Sequence, residues 1–145
     1  MTVATPSIHI LLRAFFEPKM RRAKTERRER LMYIDKRLRR YLESDVPGRL
    51  CGECNALIAA ERQFNPYDVV ARLFDARVLL ANLPGFLMPD HLPADALPRR
   101  TQFEVVRGLG RMLAEDDLVC EGDYRAFEAA LARVVQRPPN RGRRR

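Results

Sequence analysis

The side chains with the clearest chemical potential are the basic residues between positions 19 and 40. They number eleven against three acids, Glu26, Glu29 and Asp35, which gives the segment a charge of +8 (11 − 3). Guanidinium and ammonium groups bind phosphate oxygens and release condensed counterions when they neutralise a polyanion. The eleven are Lys19, Arg21, Arg22, Lys24, Arg27, Arg28, Arg30, Lys36, Arg37, Arg39 and Arg40. This density predicts contact with a phosphate polymer.

A second cationic segment closes the chain at residues 137–145. It contains five arginines and no acid: Arg137, Arg141, Arg143, Arg144 and Arg145. The whole protein has a net charge of +8, so residues 1–18 and 41–136 together sum to −5 (8 − 8 − 5). A mildly acidic body with two cationic segments predicts a polyanionic partner, most simply DNA or RNA. The composition of 137–145 predicts a disordered arm.

Two other interpretations of the basic segment stay open. It could lie against an anionic protein or membrane surface, or it could be a solvated helix face paired with its own acids. Three acids cannot neutralise eleven bases, so the last interpretation leaves a large unpaired positive field. The sequence therefore favours nucleic acid, contacted through its backbone with little base specificity.

The cysteines offer a different chemistry. Cys51 and Cys54 form a CxxC pair, which is half of a zinc site, and Cys120 and His91 are the other candidate ligands. No second ligand pair accompanies them, so we expect no bound metal and keep a small structural zinc protein as an alternative. A thioredoxin-like redox role needs a preceding strand, which the sequence does not predict. Three cysteines without an export signal predict a reducing, cytoplasmic location.

Catalytic constellations are not evident in the sequence. The acids between 115 and 123 have no nearby His, Lys or Ser cluster to complete an active site. Nucleotide-binding glycine loops and the zinc-protease motif are also missing from the sequence. We expect a protein that is not an enzyme and needs no cofactor.

The elements that must position these residues are helices. Apolar side chains recur every three or four residues, and no alternating strand pattern stands out. The predicted fold is an all-α bundle of five or six helices in a single domain, 1–136, followed by the flexible tail 137–145. The predicted helices are about 7–16, 19–44, 52–63, 66–82, 101–115 and 123–136.

The long basic helix predicted at 19–44 has two different halves. Leu31, Ile34, Leu38 and Tyr41 form one apolar stripe in its second half. The residues from 21 to 30 present no apolar face, so they should project from the core as a charged rod.

Two further expectations concern packing. In the third helix, Leu57, Ile58 and Ala60 are the predicted buried residues. Gly108 and Gly110 within the fifth helix lower its propensity by about 1 kcal/mol each, which predicts close packing of a neighbouring helix there.

Together these features predict a nucleic-acid-binding accessory subunit, associated with other protein subunits in a nucleoprotein complex. Small helical subunits of CRISPR effector complexes have this size and character. This is an analogy between classes of protein only, and no sequence motif supports it. The alternative is a phage- or plasmid-type adaptor or inhibitor that uses its basic helix on an acidic protein surface. No apolar run is long enough to span a membrane, so we expect no membrane partner. DNA and RNA, single- and double-stranded, all stay open.

Overall fold

The computed structural model describes residues 5–136, so the tail predicted at 137–145 lies outside the described residues. Within this range there are seven α-helices and no strand, which confirms the all-α prediction. None of these helices is long and apolar enough to cross a membrane. The helices are α1 (Ile8–Arg22), α2 (Thr25–Ser44), α3 (Gly52–Phe64), α4 (Val69–Leu73), α5 (Ala76–Asn82), α6 (Ala96–Glu115) and α7 (Glu121–Gln136). Short 3₁₀ segments occupy Val46–Arg49, Pro84–Leu87 and Pro89–His91.

The chain divides into two compact units, Met1–Leu79 and Leu80–Arg145, with the boundary inside α5. The first unit contains the basic segment and the CxxC pair. The second contains α6 and α7. The single domain over 1–136 and the bundle arrangement stay predictions.

In the first unit, α1 and α2 form a helical hairpin. The Ser7 hydroxyl caps the start of α1 by accepting a hydrogen bond from the Ile10 amide at 3.3 Å. His9, near the start of α1, contacts Arg39 in the last turns of α2, so the two helices run antiparallel. The four stripe residues of α2 are all buried, as predicted. They lie where α2 packs against α1, whose own buried side chains are Ile8, Leu11, Leu12, Phe15 and Phe16.

The helix predicted over 19–44 is not continuous. Residues 19–22 belong to the end of α1, which runs through Pro18, and the chain leaves the helical conformation at Ala23 (φ −87°, ψ 150°) and Lys24 (φ −74°, ψ 167°). A proline inside a helix removes one backbone donor, and here the helix continues past it for four residues. The reversal at Ala23 lets the apolar faces of α1 and α2 bury each other, which a single straight rod would not allow.

The helix predicted over 66–82 is also two helices. Backbone around Phe74 leaves the helical conformation (φ −114°, ψ 168°), and its carbonyl accepts a hydrogen bond from the Ile8 amide at 2.8 Å. The backbones of Asp75 and Ser7 pair in an isolated antiparallel β-bridge. The interruption therefore supplies a backbone partner to the first residue of α1, a long-range contact that local periodicity cannot show.

The third helix buries less than predicted. Ile58 is 2 % exposed, but Leu57 is 59 % exposed and Ala60 is also exposed, so the predicted burial of these two is wrong. The reason is that α3 packs against α4 along one narrow edge and leaves its remaining apolar side chains in solvent. Phe64, its last residue, is 86 % exposed.

The second unit confirms the close approach predicted at Gly110. A β-carbon at Gly110 would overlap the ring of Phe127 on α7, so only glycine allows α6 and α7 to meet there. The buried Gln102 amide donates to the Phe86 carbonyl at 2.8 Å and to the His91 carbonyl at 2.9 Å. These bonds hold the proline-rich connection against α6.

Candidate nucleic-acid interface

The far end of the α1–α2 hairpin extends beyond the hydrophobic core. No residue from 17 to 30 is buried; the last buried residue of α1 is Phe16 and the first of α2 is Leu31. Six helical residues rise about 9 Å, so each helix continues about one and a half turns past the core. We call residues 19–30 the hairpin tip. It carries seven basic side chains and two acids, a net charge of +5 (7 − 2).

The tip is held in shape by Arg28. Its Nε donates to the Met20 carbonyl at 3.0 Å and its Nη2 to the Ala23 carbonyl at 3.0 Å. These carbonyls belong to the end of α1, where the backbone lacks partners from the next turn. The Lys19 ammonium lies 4.7 Å from the centroid of the Phe15 ring. Arg28, one of the predicted phosphate ligands, therefore also caps the end of α1.

Three other cations of the tip are open to solvent. Arg21, Arg22 and Lys24 are exposed, and their side chains form no hydrogen bond or ion pair with any described residue. They lie on both sides of the Ala23 reversal, so the end of α1 and the start of α2 present them together. A long rod would have spread these charges along its length; the reversal concentrates them.

The exposed face of α2 continues the positive surface. Lys36 and Arg40, one helical turn apart, are exposed and without partners among residues 5–136. Tyr33 is 44 % exposed, and Arg37 packs over it with its guanidinium carbon 5.3 Å from the ring centroid and Nη1 donating to the hydroxyl at 3.2 Å. The aromatic face that could stack on a base is therefore partly covered by Arg37.

Arg39 has a different environment. Its side chain is 17 % exposed, Nε contacts the Asp35 carboxylate at 3.1 Å, and Nη1 contacts the Asp68 carboxylate at 3.5 Å. Nη1 also donates to His9 Nδ1 at 3.0 Å, because arginine has no acceptor. Burial raises the pKa of Asp35 above its ordinary value, and the adjacent Arg39 charge opposes that rise. Arg39 ties α1, α2 and the start of α4 together, so its guanidinium is already engaged within the chain.

The remaining predicted ligands are Arg27, Arg30 and the arginines of the tail. Arg27 makes an interaction within the chain, and Arg30 is half-buried, with an Nε that lacks an acceptor among the described residues. The predicted ligands of the tail lie outside the described residues: Arg137, Arg141, Arg143, Arg144 and Arg145.

The four candidate zinc ligands are divided between the units. Cys51 and Cys54 lie together in the first, with their sulfurs 3.1 Å apart, whereas Cys120 and His91 belong to the second. Within residues 5–136, no three His, Cys, Asp or Glu side chains converge as metal ligands.

A groove between α6 and α7 had no signal in the sequence. It encloses about 390 Å³ and is lined by Arg107 and Arg111 of α6 and by Tyr124, Phe127 and Glu128 of α7, among others. Burial raises the pKa of Tyr124, and the neighbouring Glu128 charge adds to the rise. Its lining combines apolar side chains with the positive charges of Arg107 and Arg111 and the negative charge of Glu128. This mixture does not favour one class of ligand.

Comparisons with protein-family models, curated proteins and solved structures find no match to this chain. Its function must be inferred from its own residues.

Proposed function

We propose that the hairpin tip binds the phosphate backbone of a nucleic acid, and that the protein is a non-enzymatic accessory subunit of a nucleoprotein complex. The observation that supports this most directly is the group of Arg21, Arg22 and Lys24. These cations are exposed, lie beyond the core and have no partner among residues 5–136. Holding like charges together is unfavourable in the free protein, and a polyanion would relieve that repulsion.

The start of α2 adds to the same surface. Lys24 occupies the N-cap position of this 20-residue helix and supplies no side-chain cap. The amides of Thr25 and Glu26 in the first turn therefore point toward solvent at the positive end of the helix dipole. Phosphate groups bind at such helix starts, and here Lys24 precedes the first turn, which also carries the acid Glu26.

The expected mode of binding is backbone contact with little sequence preference. Lys36 and Arg40 extend the positive surface along α2, and no exposed helix in the described range presents a dense set of base-reading side chains. The predicted basic tail at 137–145 would add a second contact. A complex of this kind would also contain other protein subunits.

The test is binding to single- and double-stranded DNA and RNA across a range of salt concentrations. We expect log affinity to fall linearly with log salt for the wild type. Neutralising Arg21, Arg22 and Lys24 to Gln together should reduce the magnitude of that slope by about 3 and weaken binding at least about tenfold at low salt. Gln avoids placing a negative charge at the end of α1, so the fold should be unaffected.

A matched control separates the tip from overall charge. Neutralising three exposed arginines of the second unit leaves the same net charge of +5 (8 − 3) as the tip variant. The control substitutions are Arg100→Gln, Arg107→Gln and Arg133→Gln. We expect the control to bind like the wild type. Equal loss in both variants would mean that net charge alone attracts the polyanion, and no retention of the wild type by any polynucleotide at low salt would remove the proposal.

One observation favours the adaptor alternative, in which the tip meets an acidic protein surface. On and just after α3, Leu57, Phe64 and Tyr67 are 59 %, 86 % and 76 % exposed. Large apolar side chains exposed within one short segment favour a protein interface. If the tip variant loses binding to an acidic polypeptide such as polyglutamate while wild type ignores all four polynucleotides, the adaptor is the better interpretation.

A further inference from the structure

The CxxC pair brings two thiols into contact at the start of a helix. The sulfurs of Cys51 and Cys54 lie 3.1 Å apart, and neither is in a disulfide. Cys51 is the N-cap residue of α3, and its sulfur accepts a hydrogen bond from the Cys54 amide at 3.4 Å. Two sulfurs in contact need to approach by only about 1 Å to reach bonding distance.

The two thiols are unequal. Cys51 is exposed, whereas Cys54 is half-buried. When Cys51 is a thiolate, the Cys54 thiol and amide both donate to it, and these bonds lower the pKa of Cys51. The same contact raises the pKa of Cys54. An accessible thiolate at a helix start is a nucleophile, and a neighbouring protonated thiol is suited to react second.

A second helix of this chain provides an internal reference. Cys120 precedes α7, and its exposed sulfur accepts from the Asp123 amide at 3.4 Å, which matches the distance from Cys51 to the Cys54 amide. The local sequences are Cys-Gly-Glu-Cys and Cys-Glu-Gly-Asp: the two middle residues are exchanged, and the fourth is an aspartate where the first has a cysteine. Cys120 therefore has the helix-start geometry without a second thiol.

We propose that Cys51 and Cys54 form a dithiol–disulfide exchange site that reacts with low-molecular-weight disulfides such as glutathione disulfide. The Cys51 thiolate attacks one sulfur of the disulfide, forming a mixed disulfide and releasing one thiolate. The Cys54 thiol then loses its proton to solvent and attacks Cys51 Sγ, which releases the second thiolate. Two electrons pass from the protein to the disulfide, which leaves as two thiols, and the protein retains a Cys51–Cys54 bond.

This site does not depend on nucleic-acid binding. The sequence alone argued against a thioredoxin-like role because no strand precedes the pair. The structure supplies the reactive geometry with a different element, the 3₁₀ segment Val46–Arg49 that precedes α3. The side-chain Nδ2 of Asn55 donates to the Pro47 carbonyl at 2.8 Å and to the Cys51 carbonyl at 3.1 Å. These bonds hold the loop that carries Cys51 against the first turn of α3.

The first measurement is the alkylation rate of each cysteine in the reduced full-length protein at pH 7, followed by peptide mass spectrometry. We expect Cys51 to react about tenfold faster than Cys120, because the extra thiol donor stabilises its thiolate. In Cys54→Ser the hydroxyl can still donate to Cys51, so fast alkylation should persist. A Cys51 rate equal to or below that of Cys120 would contradict the proposal.

The second measurement is reaction with glutathione disulfide. The wild type should lose two hydrogens per chain, with Cys51 and Cys54 joined and no glutathione retained on either. Cys54→Ser should instead hold one glutathione on Cys51, and Cys120→Ser should behave as wild type. Serine is a favourable N-cap, so Cys51→Ser keeps the helix start and should abolish the internal bond. If the wild type stops at a glutathione adduct on Cys51, as the Cys54→Ser variant does, the exchange site is disproved.

Discussion

The two halves of the α1–α2 hairpin contain the same residue types in opposite environments. Near the core, Arg39 is held by Asp35, Asp68 and His9 and links three helices. At the tip, Arg21 and Arg22 have no partner within residues 5–136. Arginine therefore stabilises the fold in one half and is available for a ligand in the other. The difference arises because the apolar stripe of α2 begins at Leu31, so the half after it packs against α4, where Asp68 reaches Arg39.

The largest expected effect comes from an apolar substitution in the half of the hairpin that packs in the core. Leu38 is fully buried in the hairpin, so Leu38→Ala should reduce the free energy of unfolding by about 3 kcal/mol, from lost burial and the cavity left behind. Met32, on the same helix but 46 % exposed, serves as the control, and Met32→Ala should cost less than about 1 kcal/mol. Urea denaturation measures both, and equal costs would mean that the hairpin packs differently.

The second effect tests the structural arginine. Arg39→Ala leaves Asp35 half-buried without its cation, which should cost about 2 kcal/mol of unfolding free energy. Its exposed neighbour Arg40 provides the control, and Arg40→Ala should change stability by less than about 0.5 kcal/mol. The comparison fails if the two variants are equally stable. In the binding assay the order should reverse, with Arg40→Ala the weaker binder.

A third, smaller effect concerns Arg28, a basic residue of the tip whose guanidinium donates to two backbone carbonyls at the end of α1. Arg28→Ala removes two donors from the last carbonyls of α1 and should cost about 1 kcal/mol, as loss of a helix cap does. Arg21→Ala, which removes an exposed charge of the same tip, should be neutral to unfolding. Amide hydrogen exchange should also show faster opening of the last turn of α1 in the Arg28 variant alone. An unchanged exchange rate there would count against the cap.

The smallest effect is a pH dependence carried by Asp35. Because burial raises the folded-state pKa of Asp35 above 3.8, the folded state takes up a proton before the unfolded state as the pH falls. Its stabilising contribution is fully present below pH 3.8 and is lost as the pH rises through the folded-state pKa. The difference in unfolding free energy between wild type and Asp35→Asn should therefore favour the wild type most at low pH. A difference that is flat from pH 3 to 7 would show that Asp35 is not shifted.

Local patterns predicted some elements well and others poorly. The stripe of α2 and the close approach at Gly110 followed from spacing and from the absence of a side chain, and both are confirmed. The interruptions at Ala23 and Phe74 were missed, since each is stabilised by a contact from elsewhere: the Arg28 guanidinium in one case and the Ile8 amide in the other. Periodicity within a segment carries no information about such partners.

The candidate sites divide in the same way. The sequence located the density of cations and places Asp35 one turn before Arg39, but it could not show that Asp68 and His9 also reach Arg39, because folding brings those two from other elements. It also found the CxxC pair without the geometry that sets Cys51 apart from Cys120. Leu57 and Ala60 were expected to be buried because they are apolar, yet burial depends on whether a neighbouring helix is present to cover them.

The amino-acid sequence by itself determined the helical class, the apolar stripe that anchors α2 and the concentration of positive charge before the core begins. These properties depend on residue type and on spacing along the chain, which are local. The tertiary structure decided that Arg39 meets Asp68 and His9, and that the interruption at Phe74 meets the amide of Ile8. Those contacts join residues far apart in sequence, and only the packed helices set such distances.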